Sequence, residues 1–370
     1  MNSRYVKEQI LKDLEQKMVF LAGPRQCGKT TLAKTLVKNS RGYMNWDEDA
    51  GRESILSKTF SKAEFWIFDE IHKFKRWRNY LKGIFDQHGK AQKILVTGSA
   101  RLDLYRRGGD SLQGRYHFLR MHPLSFNEIK GRTQEDLETL FELGPFPEPF
   151  FSSSKKTADR WSLSYRTRLI FDEIPPLETV KDINLLDVLA RTLPERVGSP
   201  LSINNLRENL DLSFRAVSNW LVIFEKLYLI YRLRPFGSPL IKSVKKETKH
   251  YHFDWNLVDD EGARFENFIG NHLLKWVHFE TDSSGRDLDL KFVRNEAGKE
   301  VDFVVTEKLK PILFVECKWS DTQINPFLIH LKKKFPKSRA IQVLMNAKKE
   351  FIGEEGIEVI SAKNFLKELV

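Results

Sequence analysis

The chain has 370 residues, more than the roughly 100 to 200 of one ordinary domain, so two or three domains are expected. With 41% apolar and 12% aromatic residues it can build packed cores, yet no run approaches the roughly 18 uninterrupted apolar residues of a membrane helix. A formal charge of +11 favours a polyanionic partner such as nucleic acid, although solubilising surface charge has the same sign. The two cysteines, Cys27 and Cys317, exclude a disulfide framework and a zinc cluster. The opening MNSRYVKEQILKDLEQK carries charges at helical spacing and lacks the apolar centre of a secretory signal, which predicts a cytoplasmic protein without membrane attachment.

KMVFLAG, Lys17 to Gly23, reads as a buried strand, and the following GPRQCGKTTLAKTLVKNS opens a helix with Leu32, Ala33, Leu36 and Val37 at helical spacing. Gly23, Pro24, Arg25, Gln26, Cys27, Gly28, Lys29 and Thr30 fit the G-x-x-x-x-G-K-[ST] phosphate loop, with Thr31 next in the helix. In such a loop backbone N–H groups cradle phosphates at a helix N-terminus, Lys29 reaches the β and γ phosphates, and Thr30 holds Mg²⁺. ATP and Mg²⁺ are therefore the expected cofactors. Downstream, Phe65 to Phe68 form an apolar strand that ends in Asp69, expected in the magnesium shell, and Glu70, expected to polarise the attacking water. A solvated turn ending in two acids is the alternative. KILVTGSA is a third strand whose terminal Thr97 and Ser99 are placed to sense the γ-phosphate. Arg115 stands either as an arginine finger reaching a neighbouring subunit's phosphate or as an ordinary surface arginine.

Read together, GPRQCGKTTL, FDEIHK, TGSA, the Gly-Arg pair before HPLSF, and GPFPEP at Gly144 to Pro149 resemble the AAA+ ATPases of the bacterial and archaeal family whose C-terminal region is the DUF4143 domain. Cys27 departs from the small apolar residue usual before the second glycine. The resemblance implies an AAA-type core over residues 1–125, a helical lid over 126–180 and a DNA-interaction region beyond.

Over residues 181–255, INLLDVLARTL, INNLRENL and SFRAVSNWLVIFEKLYLI read as three helices, the last capped by Ser213 and burying Val217, Leu221, Phe224 and Leu227. Arg215, Ser218 and Asn219 remain near its start, available to a DNA groove. The strands YRLRPF and HYHFD flank a basic loop, completing a winged-helix pattern with Lys242, Lys245, Lys246 and Lys249 suited to backbone phosphates. A winged helix used only for protein packing is the alternative.

From about residue 256 to 370 the pattern changes to a helix (ARFENFIGNHLLKWV), the strands LDLKFVR, VDFVV and ILFVECKW, and a further helix near 324–334. Asp302 interrupts one apolar strand, and Glu316 and Lys318 share one side of the next. With Glu266 on the preceding helix, Asp302 and Glu316-x-Lys318 resemble the restriction-endonuclease-like PD-(D/E)XK superfamily. That resemblance implies two carboxylates holding a divalent ion, Glu266 completing its shell, and Lys318 orienting water. Glu266 as a solvated residue, and an inactive nuclease fold kept as a clamp, remain alternatives. Alternation turns Cys317 away from Glu316 and Lys318.

The expected fold class is α/β: a P-loop AAA+ core with helical lid, a winged-helix domain and a C-terminal restriction-endonuclease-like domain. The expected function is ATP-driven movement or remodelling of duplex or branched DNA, a Holliday junction included, by a homo-oligomer such as a hexameric ring, in repair or defence. Two alternatives are carried beside it: a nucleotide-controlled DNA- or protein-binding switch with slow hydrolysis, and a DNA-binding regulator that ATP only assembles.

Overall fold

The computed structural model describes residues 3–37, 42–89, 91–98, 112–175, 182–237, 248–320 and 323–370. It is mixed α/β, and it divides into two compact units, Met1–Leu124 with Asp282–Ser284, and Ser125–Thr281 with Gly285–Val370.

In the first unit α1 (Lys7–Leu14) precedes β1 (Met18–Ala22), α2 (Lys29–Leu36), β2 (Tyr43–Asn45), α3 (Asp49–Ser57), β3 (Phe65–Asp69), α4 (Trp77–His88), β4 (Lys93–Thr97) and β5 (Tyr116–Arg120). The five strands form one sheet in the order β2-β3-β4-β1-β5, every pair parallel. Strands β1 and β3 are buried throughout, which is why they read as continuous apolar runs rather than alternating ones. Met18, Phe20, Phe68, Ile94, Val96, Trp77 and Leu81 close the core on one face. Because β4 lies between β1 and β3, the ends of three adjacent strands converge at Ala22, Thr97 and Asp69.

The second unit begins with α5 (Gln134–Leu143), α6 (Pro147–Ser152) and α7 (Lys155–Arg168), which a π-helical turn extends through Glu173. Thr133 and Asp136 form a capping box at α5, and Ser154 caps α7. Next come α8 (Ile183–Thr192), β6 (Pro200–Leu201), α9 (Ile203–Asn209), α10 (Phe214–Lys226), β7 (Ile230–Leu233) and β8 (Thr248–His252). Ser213 caps α10 through an Oγ that accepts from Ala216 N at 3.1 Å, and Val217, Leu221, Phe224 and Leu227 are buried, as expected. β8 is the central strand of a three-stranded sheet, β6-β8-β7, with its backbone held antiparallel on both sides.

The long α11 (Glu261–Ser284) leads into β9 (Leu288–Arg294), β10 (Glu300–Glu307), β11 (Lys310–Lys318), α12 (Pro326–Lys334), β12 (Arg339–Leu344), β13 (Phe351–Ile352), β14 (Glu358–Ser361) and α13 (Ala362–Lys367). These strands form a six-stranded sheet in the order β13-β14-β12-β11-β10-β9, antiparallel from β9 to β11 and parallel from β11 through β12 to β14. Two bonds tie this sheet to the segment after β7: Phe236 N donates to Phe292 O at 2.7 Å, and Phe292 N to Arg234 O at 3.2 Å. Asn267 of α11 grips β8, accepting from His252 N at 2.8 Å and donating to His252 O at 2.7 Å. Gly270 lets α11 lie close, since a Cβ there would stand 2.7 Å from the Tyr231 hydroxyl and 2.8 Å from the Phe303 ring. Among the described residues no helix is long and apolar enough to cross a membrane.

Candidate nucleotide site and acidic cluster

The loop between β1 and α2 is shaped for backbone amides to face inward. Gln26 has φ 60° and Gly28 φ 98°, left-handed geometry that turns successive N–H groups toward one point. Gly23 is required by space, because a Cβ there would lie 2.1 Å from Met121 O. Lys29, the first residue of α2, is buried and folds its ammonium back onto the loop, donating to Gly23 O at 2.9 Å and Pro24 O at 2.5 Å. Those carbonyls hold the amine in the loop's concavity, where a phosphate oxygen is its natural competitor. Cys27 is fully buried with its thiol 3.5 Å from Met121 O, so this departure from a small apolar residue fills a pocket below the loop and leaves its upper face clear.

Asp69 ends β3 and collects three hydroxyls. Thr30 Oγ1 donates to its Oδ2 at 2.7 Å, the Tyr43 hydroxyl to the same oxygen at 2.6 Å, and Thr97 Oγ1 to Oδ1 at 2.5 Å. The Thr30 hydroxyl and the Asp69 carboxylate are hard oxygen donors on facing elements, a set that suits Mg²⁺ with the remaining positions left to water and phosphate. Thr97 orients Asp69 directly, a nearer role than the phosphate sensing its sequence position predicts. Ser99 lies outside the described residues.

Glu70 follows with φ 56°, a strained backbone for a residue with a side chain and one that redirects the carboxylate out of the strand line. Its Oε2 is buried without a hydrogen-bond partner, 3.6 Å from both Lys73 Nζ and His72 Nε2. Burial raises its proton affinity above the ordinary glutamate range, the nearby lysines opposing. Such a carboxylate is matched to accepting a hydrogen bond from a water at the strand ends. Arg115, the candidate finger, is held within its own chain by Asp86, with Nε–Oδ1 at 2.7 Å and Nη2–Oδ2 at 3.3 Å.

Three contributors carry no sequence motif. Arg4 is buried and donates from Nη1 to Cys27 O at 2.6 Å and from Nη2 to His122 O at 2.5 Å. The Tyr5 hydroxyl donates to Arg120 O at 2.6 Å and accepts from His122 N at 3.0 Å. Tyr43, the third, is the second hydroxyl on Asp69 Oδ2. Were Thr30 to turn to a magnesium ion, Tyr43 would remain on Asp69 Oδ2 beside Thr97 on Oδ1. Tyr43→Phe is therefore expected to weaken Mg²⁺-dependent nucleotide affinity roughly ten- to hundredfold, the worth of one hydrogen bond to a charged group, while nucleotide binding in EDTA stays within twofold. Isothermal titration with and without Mg²⁺ checks this, and equal losses in both would remove the role.

The second site lies in the second unit. Asp302 on β10 and Glu316 on β11 lie on adjacent strands, with Asp302 Oδ2 accepting from Cys317 N at 2.8 Å. Lys318 pairs with Glu316 at 3.0 Å, while Glu316 Oε2 is buried without a partner. Glu266, on α11, is turned inward rather than solvated: its Oε1 accepts from the Tyr251 hydroxyl at 2.6 Å and from Lys249 Nζ at 3.1 Å. Burial raises the proton affinity of Glu266, Asp302 and Glu316, and the negative charge of Asp302 adds to it at both glutamates.

Lys249 corrects a sequence expectation. Placed on a basic wing facing phosphates, it is instead fully buried on the central strand β8, 3.1 Å from Glu266, 3.0 Å from Glu300 and 3.8 Å from Asp302. The register decides this: Lys249 and Tyr251 alternate onto one face of β8, and that face meets α11 and β10. Lys242, Lys245 and Lys246 lie outside the described residues. Among the described residues no group of three or more His, Cys, Asp or Glu stands in an arrangement able to hold a metal ion. The Glu266 and Asp302 carboxylates are instead engaged by the Lys249 ammonium. On α10, Arg215 and Asn219 are exposed, whereas Ser218 is half-buried with its Oγ buried and without a hydrogen-bond partner.

Comparison with known proteins finds three domain matches along the chain. Residues 15–130 match an AAA domain, residues 134–259 a domain of unknown function (DUF8612), and residues 261–365 a domain of unknown function (DUF4143). An uncharacterized protein of Haemophilus influenzae is 25% identical over 350 residues, spanning 87% of this chain and 83% of that protein. An uncharacterized protein of Mycobacterium tuberculosis is 24% identical over 272 residues, spanning 68% of this chain and 61% of that one. Among solved structures, a DNA polymerase III gamma subunit-related protein of Thermotoga maritima aligns over 60% of this chain and 76% of its own, with 11% identity and a TM-score of 0.25. The phosphate loop, Asp69 and Glu70 all fall inside the first match, so the chain carries an AAA-type P-loop ATPase domain at residues 15–130 and a DUF4143 domain at residues 261–365.

Proposed function

We propose that the protein hydrolyses ATP at the loop above β1 and uses the cycle to remodel DNA held by α10 and the basic segment that follows β7, with the C-terminal domain clamping rather than cutting. The observation that carries the reading is the convergence of Lys29, Thr30, Asp69 and Glu70 at neighbouring strand ends. Lys29 binds the β and γ phosphates by exchanging its loop carbonyls for phosphate oxygens. Thr30 and Asp69 would hold Mg²⁺, which would supply neutralisation of charge on the phosphates. Glu70 orients the attacking water and takes up its proton at the carboxylate. Phosphoryl transfer asks mainly for this positioning and charge stabilisation. A homo-oligomer would bring Arg115 to a neighbour's γ-phosphate once it leaves Asp86.

The DNA part rests on the net charge of +11 and on the exposed Arg215 and Asn219 at the start of α10. Fluorescence anisotropy with labelled duplex and four-way-junction DNA tests it. Arg215→Glu is expected to weaken binding about tenfold or more and to flatten its salt dependence, because a phosphate contact is replaced by a repulsion. Unchanged affinity would move DNA off this helix.

The competing reading is a nucleotide-controlled binding switch, and the Lys249-filled acidic cluster favours it. DNA-stimulated ATP turnover separates the two: stimulation marks a motor, whereas a switch changes affinity between its ATP and ADP states without it.

A further inference from the structure

Metal-dependent phosphodiester cleavage needs carboxylate oxygens that converge on one point and leave room there for a cation and water. In the second unit Glu266, Glu300 and Asp302, which belong to α11 and β10, converge on Lys249. We propose that Lys249 is the resident cation of this cluster, its ammonium standing where a divalent ion would bind, so that the acids form a structural ion cluster and the domain takes up no metal there. This inference is independent of the DNA reading.

Four observations carry it. The lysine is fully buried, so its charge must be compensated locally, and three carboxylates lie within 3.0 to 3.8 Å of it. Its backbone is fixed, because β8 is the central strand and pairs Lys249 with Pro200 on one side and Leu233 on the other. Glu266 Oε1 is already engaged by Lys249 and by Tyr251, the next residue on the same face of β8. A Cβ at Gly198, with φ +76°, would stand 2.8 Å from Glu266 Oε2, so the chain before β6 also approaches this carboxylate closely. A dication entering the cluster would face a positive charge about 3 Å away and would have to strand that ammonium without a partner, a cost comparable to breaking a buried ion pair.

The arrangement also explains why three acids are kept in a domain that need not cut. Each one compensates Lys249 and fastens β8 to α11 and to the C-terminal sheet. Burial raises the proton affinities of Glu266 and Asp302, and Lys249 opposes the rise at both.

The test titrates Mn²⁺ into the full-length, nucleotide-free protein and follows the free-ion signal by electron paramagnetic resonance. Wild type and Asp302→Asn are expected to give the same binding curve. Lys249→Met, which keeps the stem and removes the charge, is expected to gain one Mn²⁺ site, and Lys249→Met/Asp302→Asn to lose it. A Mn²⁺ ion bound by wild type and lost in Asp302→Asn overturns the proposal, as does a folded Lys249→Met that gains no site. Thermal melting supplies a second measurement should Lys249→Met be too unstable to titrate. Its Tm is expected to fall by roughly 10 °C, and adding Glu266→Gln to recover several degrees by removing the uncompensated charge. A double variant no more stable than Lys249→Met would show that the lysine does not balance Glu266.

Discussion

Lys29→Ala is expected to lower ATP turnover by roughly 10² to 10³, and Glu70→Gln by a similar factor, but the two should part company in binding. Lys29 directs its amine at the loop carbonyls, so removing it takes away ground-state contacts to phosphate as well as charge stabilisation. Nucleotide affinity should fall with turnover. Glu70 instead stands at the end of β3 with an unpartnered buried oxygen, and its isosteric amide keeps the packing while removing the proton acceptor. That variant should bind ATP within about threefold of wild type and hold it unhydrolysed, the energetic signature of a group that acts only in the transition state. Phosphate-release assays paired with fluorescent-nucleotide titration check both. Wild-type turnover in Lys29→Ala would place hydrolysis elsewhere, and a large loss of affinity in Glu70→Gln would make Glu70 a binding group.

The nucleotide site was legible because its chemistry is contiguous in the chain. A phosphate loop is eight successive residues, and a buried parallel strand announces itself as an apolar run ending in acids, so Gly23 to Thr30 and Phe65 to Glu70 need no tertiary knowledge. What holds those pieces was not legible, since it comes from distant segments. Arg4 reaches Cys27, 23 positions on, and His122, 118 positions on, and nothing in MNSRYVKEQ marks an arginine for burial. Tyr43 meets Asp69 only because β2 pairs with β3 in register, Asn45 against Asp69.

Lys249 shows the opposite failure, a local pattern read too simply. In IKSVKKETKHYHFD the lysines look like one basic run, but the alternation Thr248, Lys249, His250, Tyr251, His252 has already begun a strand. Both faces of it are buried, and the partners of the Lys249 face come from α11 and β10, more than ten residues beyond. The signal that could have separated Lys249 from the run was its spacing of two from Tyr251, together with the unmatched acids Glu266 and Asp302 downstream. A buried carboxylate pair asks for a cation, and the chain supplies one.

Arg4→Ala is expected to destabilise the first unit by about 3 kcal/mol or more and to weaken ATP binding about tenfold, although Arg4 need not touch the nucleotide. Arg4 is 5% exposed, and its guanidinium satisfies the carbonyls of two buried residues, Cys27 in the phosphate loop and His122 after β5. Hydrogen bonds from a charged donor contribute roughly 1.5 to 3 kcal/mol each, and stranding a buried carbonyl costs a similar amount. For a unit of this size the loss corresponds to a fall in Tm on the order of 10 °C. The nucleotide effect follows from geometry. Cys27 sits between the left-handed Gln26 and Gly28, so a carbonyl released there lets the two residues that aim the amides relax, and the loop must be reordered by the ligand at the ligand's expense. Arg4→Lys can reach one carbonyl but not both and should fall between wild type and alanine in Tm and affinity alike. Linkage supplies the decisive comparison: saturating Mg²⁺ and ATP should raise the Tm of the alanine variant less than that of wild type at the same concentration, by the ratio of their affinities. Equal ligand-induced shifts would mean that Arg4 steadies the fold without shaping the loop.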